Sequence, residues 1–135
     1  LQWLISEQIH VGVPYDEKHI TLFQGQNVSD LRRLSALNSS CEVMKHILRW
    51  QHSAPTCPDT VDGFPFDTRD PLVIDGEFPH VMVTGNQPLP ESQWYEGNNG
   101  ERCLMISVPR FSKTQLLVLL DLDAMEVMYE HFSVE

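Results

Sequence analysis

Short apolar and β-branched runs, separated by turn residues, recur along the chain. The runs at residues 9–13 and 19–23 predict two strands with a turn at residues 14–16 between them. The run at residues 81–84 predicts a buried strand that ends at Gly85. Three more strands are predicted near the end of the chain, at residues 102–108, 115–122 and 126–133. Both alternating sets of the last strand are partly apolar, which predicts burial on both of its faces.

Two helices are predicted between the second and third of these strands. Ser29 can cap a short one that carries Leu31 and Leu34 on one side. The clearer helix follows Ser39, whose spacing to Glu42 is that of a capping box. Its apolar positions recur at helical intervals: Val43, Met44, Ile47 and Leu48. Pro55 ends it at the latest.

Two stretches lack any periodic pattern. Residues 53–79 contain five prolines and predict a long irregular connection, a type of loop that is usually functional or packed on a partner. Residues 88–100 are polar and rich in turn residues. Strands, two helices and long loops together predict an α/β layered domain with too few strands to close a good sandwich alone.

Composition and charge narrow the function classes. The 135 residues are 41% hydrophobic and 21% charged, which argues against disorder, collagen and coiled coil. Nine basic against 19 acidic residues give a net charge of −10. Binding to phosphate groups depends mainly on Lys and Arg. The excess of acidic residues therefore disfavours direct binding to nucleic acid and suits a basic partner. Three cysteines without a CxxC pattern favour a reduced compartment, and no apolar run is long enough to span a membrane.

The sequence offers weak candidates for a metal site. No two of its six histidines are spaced i, i+4, and HExxH is absent. His46 and His52 fall on different helix faces, and Cys57 follows His52 at a weak ligand spacing. Solvated or hydrogen-bonded histidines are therefore favoured. Asp121 and Asp123 could bind a cation, but a turn between two strands is the favoured interpretation.

The sequence patterns that would indicate nucleophilic catalysis, phosphate binding or nucleic-acid binding are weaker still. There is no GxSxG elbow, no GxGxxG and no P-loop lysine, and Ser112 is assigned to a turn. Five residues could form one basic patch on the two helices: Arg32, Arg33, Lys45, Arg49 and Trp50. An ordinary solvated helix face is the favoured interpretation of that set. The strand that runs into Gly85 and Asn86 has the form of a ligand-presenting strand end, a weak signal by itself.

Four stretches together resemble one family. They are residues 25–31 (GQNVSDL), 54–66 (APTCPDT with FPF), 70–87 (DP followed by FPHVMVTGNQ) and 107–115 (SVPRFS with TQ). In this order and spacing they resemble the B subunits of the replicative DNA polymerases alpha, delta and epsilon, and within them the small subunits of polymerase delta. The resemblance runs from about residue 14 to the end of the chain.

The resemblance implies an α/β fold of the calcineurin-like phosphoesterase type, a two-sheet sandwich with flanking helices. Residues 1–135 would be the C-terminal part of an inactive domain of that type. The N-terminal OB-fold and the first half of the domain, which family members carry, are not seen in this sequence. The chain begins with Leu1 and not Met, so we expect it to be a piece of a longer protein.

The resemblance also implies that a metal motif has degenerated. An active phosphoesterase of this type has Gly-His-x-His after the final core strand, whereas this sequence has Gly85, Asn86, Gln87 and Pro88. Asn86 offers only a weak carbonyl oxygen in place of an imidazole nitrogen, and Pro88 has no side-chain donor. A two-metal site needs its full ligand set. We therefore expect no metal, no cofactor and no catalytic residue here. A divergent metal-dependent phosphoesterase or nuclease is the alternative.

A non-catalytic scaffold of polymerase delta is then the expected function. The implied partners are the C-terminal domain of the catalytic subunit and the third subunit of polymerase delta. DNA would be reached only through the complex, no membrane is involved, and the implied location is the nucleus. An acidic surface suits a basic partner, mainly by raising the rate of association.

Overall fold

The computed structural model describes residues 6–13, 16–63, 67–74 and 78–133. These residues form seven strands and three helices: β1 (Ser6–Val13), β2 (Asp16–Phe23), α1 (Gln26–Leu34), α2 (Ser40–Trp50), β3 (Val81–Gln87), β4 (Glu91–Glu96), β5 (Arg102–Pro109), α3 (Phe111–Thr114), β6 (Leu116–Asp121) and β7 (Glu126–His131). The α/β class is confirmed. None of the helices in these ranges has the length and apolarity needed to cross a membrane.

The strands form a mixed five-stranded sheet and a separate hairpin. The order in the sheet is β1-β2-β3-β5-β4, with β2, β3 and β5 parallel to one another and the two outer strands antiparallel to their neighbours. The crossover from β2 to β3 carries α1 and α2, as parallel pairing requires. Strands β6 and β7 pair only with each other among the described residues.

Each face of the five-stranded sheet packs against a different layer. Met82 and Met105 face the helices, where they are buried with Met44 and Ile47 of α2. Their neighbours Val81, Leu104 and Ile106 face the other way, against apolar residues of the hairpin: Val118, Leu120, Met125 and Val127. Successive residues of a strand point to opposite faces, so β3 and β5 read as continuous apolar runs because both faces are covered.

The helix caps confirm one prediction and correct another. The Ser39 side chain accepts a hydrogen bond from the Glu42 amide at 3.3 Å, so Ser39 caps α2 as predicted. Ser29 is not a cap. Helix α1 begins at Gln26, with Gly25 in the capping position at φ 108°, and Ser29 lies in its second turn. The left-handed backbone of Gly25 lets the helix start earlier than a cap residue would indicate.

Four further predictions from the sequence were wrong in detail. The stretch at residues 88–100 contains β4, whose polar residues hide it from a hydrophobic pattern. Strand β3 continues past Gly85 to Gln87 through a bulge. Ser112 lies in the short helix α3 and not in a simple turn. Strand β7 is mostly exposed, because only the inner side of the hairpin contacts the sheet.

The connection between α2 and β3 is irregular, as predicted, throughout its described residues. It is nevertheless tied to the end of α2. The Ser53 amide and hydroxyl both donate to the Leu72 carbonyl oxygen, at 2.7 and 3.0 Å, and the Ile74 amide donates to the Gln51 carbonyl oxygen at 2.8 Å. The predicted turn at residues 14–16 and the FPF stretch at residues 64–66 fall outside the described residues, apart from Asp16, which opens β2.

Candidate functional site at the carboxyl end of β3

The candidate motif lies where β3 ends beside the loop before α1. Asn86 adopts a left-handed backbone, with φ 56°, and its side-chain amide donates to the Gln24 carbonyl oxygen at 3.0 Å. Pro88 follows the strand and is exposed. Gly85 is half-buried and lies against the same loop. Gly85, Asn86 and Pro88 therefore contact the neighbouring loop or face solvent.

The residue between them, Gln87, is the buried centre of a polar cluster. Its side-chain nitrogen donates to the Gly85 carbonyl oxygen at 2.8 Å and lies 3.2 Å from the Gly25 carbonyl oxygen. Its side-chain oxygen accepts from the Ser40 hydroxyl at 2.8 Å and from the Arg32 guanidinium at 3.3 Å. We call these five residues the Gln87 cluster. Buried polar groups of this kind are stable only when they are paired.

The cluster joins two helices and one strand at one point. Ser40 is the first residue of α2, Arg32 lies in α1, and Gly25 precedes α1, while Gly85 and Gln87 belong to β3. The Arg32 guanidinium also donates to the Ser40 hydroxyl at 3.1 Å. Both the nitrogen and the oxygen of the Gln87 amide have hydrogen-bond partners within the protein. The amide therefore links the end of β3 to the two helices.

Gly25 is required by the closeness of two backbones. A Cβ atom placed on Gly25 would lie 1.9 Å from the Gly85 carbonyl oxygen, far inside any permitted contact. The positive φ of Gly25 adds a second restriction against other residues. The loop before α1 is therefore pressed onto the end of β3, in the region where the resemblance would place metal ligands.

The donor set at this strand end does not fit a two-metal phosphoesterase site. The groups bonded to the Asn86 and Gln87 amides are hydroxyls, backbone carbonyl oxygens and one guanidinium, and none of them is an imidazole or a carboxylate. Zinc and similar ions prefer imidazole, thiolate and carboxylate ligands. The Arg32 cation beside Gln87 would also repel a metal ion.

Glu91 was not singled out by the sequence, yet it fixes the start of β4 to α2. Its carboxylate accepts from the Ser39 hydroxyl at 2.5 Å and from the Cys41 amide at 3.2 Å, at the positive end of the helix dipole.

Two buried thiols lie in this region of the fold. Burial, and then the Glu91 carboxylate, raise the pKa of the Cys41 thiol to about 12. Burial likewise raises the pKa of Cys103 to about 12. Neither thiol is a nucleophile near neutral pH, because only the thiolate is reactive.

Three of the histidines, His46, His52 and His80, make structural contacts. His52 accepts from the Ala54 amide at 3.2 Å and lies 3.4 Å from the Asp70 carboxylate. His80 accepts from the His19 amide at 2.9 Å, and His46 packs on Trp50 with their ring centroids 5.3 Å apart. Burial and nearby carboxylates raise the pKa of Cys57, which disfavours the thiolate that a metal would need. No three metal-binding side chains converge within the described ranges.

The remaining candidates are also accounted for by local contacts. Asp121 accepts from the amides of Asp123 and Ala124 at 2.9 and 3.0 Å, which is the turn that the sequence favoured. Of the five residues in the possible basic patch, Arg32 enters the Gln87 cluster and Arg33 pairs with the Asp30 carboxylate at 2.9 Å. Lys45, Arg49 and Trp50 lie on the exposed side of α2.

Comparison with known proteins gives a consistent group of relatives. The chain is 40% identical over 120 residues to "DNA polymerase delta subunit 2" of Drosophila melanogaster, covering 89% of this chain and 28% of the relative. It is 39% identical over 114 residues to "Probable DNA polymerase delta small subunit" of Caenorhabditis elegans, covering 84% and 25%. With the "DNA polymerase delta small subunit" of Saccharomyces cerevisiae it shares 40% over 85 residues, covering 63% and 17%.

The chain thus spans about a quarter of the length of the first two relatives. The model of the DNA polymerase alpha/epsilon B-subunit family matches residues 12–93, more than half of the chain. That range includes the Gln87 cluster, Asn86 and Pro88. The chain therefore belongs to the DNA polymerase alpha/epsilon B-subunit family, as the resemblance of its four stretches indicated.

Proposed function

We propose that this chain is part of a non-catalytic accessory subunit of DNA polymerase delta. In this role it scaffolds the catalytic subunit, through that subunit's C-terminal domain, and the third subunit during DNA replication in the nucleus. DNA is reached only through the complex. The relatives that are named as delta subunits support this assignment.

The observation that carries the non-catalytic part is the Gln87 cluster. Residues 1–135 are taken as the C-terminal portion of an inactivated calcineurin-like phosphoesterase domain, in which Gly85, Asn86 and Pro88 stand at the lost metal motif. The layered arrangement of a sheet, a packed hairpin and flanking helices is consistent with that fold. The Asn86 amide is bonded to Gln24, and the Gln87 amide is bonded inside the cluster. These amides stabilise the strand end instead of binding ions.

The test is co-expression of the complete protein with the catalytic subunit of polymerase delta, followed by purification through a tag on the catalytic subunit. We expect a stoichiometric complex. The same preparation, supplied with manganese and a chromogenic phosphodiester, should show no hydrolysis above that of the catalytic subunit alone.

Two results would contradict the proposal. Failure of the complete protein to co-purify would remove the scaffold role. Manganese-dependent cleavage that is abolished by mutating an upstream carboxylate or histidine would establish the divergent phosphoesterase instead. A variant with Asp121→Asn serves as the matched control, because this carboxylate only closes a turn and its loss should change neither result.

A further inference from the structure

Strand β4 leaves an open edge on the five-stranded sheet. It stands last in the strand order and pairs only with β5 among the described strands. An edge strand presents a row of backbone N–H and C=O groups that another strand can pair with. The register with β5 shows which groups those are.

The outward groups of β4 belong to alternate residues. The Gly97 amide donates to the Glu101 carbonyl oxygen at 2.8 Å, so these two residues form a hydrogen-bonded antiparallel pair. Hydrogen-bonded pairs alternate along such a ladder. Tyr95 and Gln93 therefore direct their backbone groups toward β5, as their pairing with Cys103 and Met105 requires. The residues between them direct theirs outward, away from β5: Ser92, Trp94 and Glu96.

The middle of this edge lacks the usual protection against pairing. Native sheets protect exposed edges with Lys, Pro or a bulge in the strand. The middle of β4 is Ser-Gln-Trp-Tyr, without a charge or a proline, and the Trp94 side chain is 42% exposed. Beside Trp94 lies an open cavity of about 280 Å³, bounded by Leu104 of β5 and by Met125 and Val127 of the hairpin. An apolar side chain of an added strand has room there.

Charge decides which occupant suits the edge. Glu96, exposed at the end of β4, and Glu126, exposed at the rim of the cavity, are acidic, and the whole chain has a net charge of −10. The neighbouring cation Arg102 is already placed over the Trp94 ring at 4.5 Å and 3.5 Å from the Glu96 carboxylate. A second copy is a poor occupant, since it has the same net charge of −10 and the same exposed Glu96 and Glu126 at this edge.

We propose that β4 binds an extended, basic segment from another subunit of the polymerase through strand addition. This inference rests on the proposed function, because it names one contact surface of the scaffold. In the added strand, an apolar residue opposite Trp94 enters the cavity beside the hairpin. A Lys or Arg two positions away lies opposite Glu96 on the same face, since Trp94 and Glu96 are two residues apart. Backbone hydrogen bonds give affinity, and these two side chains give specificity.

The first test uses a defined probe and the complete protein. The probe is a labelled seven-residue peptide with Val at its centre, Lys two positions to either side and Thr elsewhere, and its binding is followed by fluorescence anisotropy. Ser92→Pro removes one outward N–H without touching the ladder to β5, and proline is tolerated at such edge positions. We expect at least a tenfold loss of affinity in Ser92→Pro. Ser92→Ala is the matched control for the lost hydroxyl, which Tyr129 contacts at 3.2 Å, and should bind like wild type.

The second test measures hydrogen exchange in β4 of the complete protein, alone and within the purified complex. The outward amides of Ser92, Trp94 and Glu96 should exchange quickly in the protein alone and slowly in the complex. The Ser92→Pro complex should assemble less well. Fast exchange in both states, with equal assembly of Ser92→Pro and wild type, would overturn the inference while the proposed function stands.

Other occupants give their own signatures, and each of them also overturns the inference. Slow exchange already in the protein alone would show that another part of the same polypeptide covers β4. Self-association that Ser92→Pro abolishes would show a second copy. If the wild-type protein does not co-purify with the catalytic subunit, the proposed function is contradicted. Binding of the peptide probe to β4 would still support a strand-addition site for a basic segment in that case.

Discussion

The carboxyl end of β3 and the open edge of β4 lie in neighbouring parts of one sheet and differ in how their polar groups are used. At the end of β3, Gln87 is 1% exposed and bonded on both sides of its amide. Along β4, the backbone groups of three residues point outward and Trp94 is 42% exposed. Groups that have partners inside the fold stabilise it, whereas groups without them are available for binding. The end of β3 is therefore a structural part of the fold, and the edge that we propose for a partner lies two strands away.

The substitution expected to have the largest effect on stability is Gly25→Ala, at the end of β3. The new Cβ would meet the Gly85 carbonyl oxygen at 1.9 Å at a residue with φ 108°, so the loop and the strand end must separate. We expect a loss of about 4 kcal/mol in the free energy of unfolding, at the upper end for a single substitution. Denaturant unfolding of the complete protein, with hydrogen exchange of α2 as the local probe, measures it.

Gly100→Ala is the matched control for Gly25→Ala. Gly100 has a similar positive φ of 85°, but a Cβ there meets nothing within 4 Å. Only the backbone cost remains, and we expect about 1 kcal/mol. Equal losses in the two variants would contradict the close contact at Gly25.

The next largest effect should come from Gln87→Ala. Removing the amide leaves the Ser40 hydroxyl and the Gly85 carbonyl oxygen without their short hydrogen bonds in a buried place. We expect a loss of about 2–3 kcal/mol in local stability, measured by hydrogen exchange at the start of α2. Gln93→Ala, the same change on exposed β4, should cost no more than about 0.5 kcal/mol. A Gln87 variant as stable as the Gln93 variant would mean that the cluster contributes little.

The last effect depends on pH and concerns the two buried thiols. Cys41 and Cys103 keep a pKa of about 12 in the folded state, above the ordinary value of 9.0. In the unfolded state they ionise first, so stability is retained below about pH 9 and falls as the pH rises from 9 toward 12. The slope is about 1.4 kcal/mol per pH unit for each thiol.

Hydrogen exchange of α2 and β5 between pH 7 and 10.5, corrected for the chemical rate of exchange, tests this prediction. The stability difference between wild type and Cys41→Ala should shrink above pH 9, because the variant has lost one ionisable group. Cys103→Ala should behave in the same way. A difference that stays constant across this range would show that the thiols ionise as freely in the fold as in the unfolded chain.

Patterns of apolar residues were sufficient for the buried elements. The capping-box spacing of Ser39 and Glu42 located the start of α2. The apolar runs located β3 and β5, because a strand that is buried on both faces has a continuous run of apolar residues. The same rule missed β4, in which Tyr95 is the buried side chain and the others are half-buried or exposed. It also overestimated the burial of β7, since alternation shows which residues share a face and not whether anything covers that face.

The candidate site was predictable in part. The sequence by itself determined that Asn86 and Pro88 cannot supply imidazole nitrogens, since ligand chemistry belongs to the residue type. It could not show that Gln87, and not Asn86, is the buried amide, because the bulge at the end of β3 reverses the expected alternation. Glu91 gave no signal either, since its partners Ser39 and Cys41 lie 52 and 50 residues away in sequence.

Residue types and their spacing thus determined the class of fold and the family. Only the tertiary structure decided which polar groups are paired. Hydrogen bonds depend on distances of about 3 Å between atoms, and residues far apart in sequence reach such distances only after the sheet and helices have packed. The closed end of β3 and the open edge of β4 are both consequences of that packing.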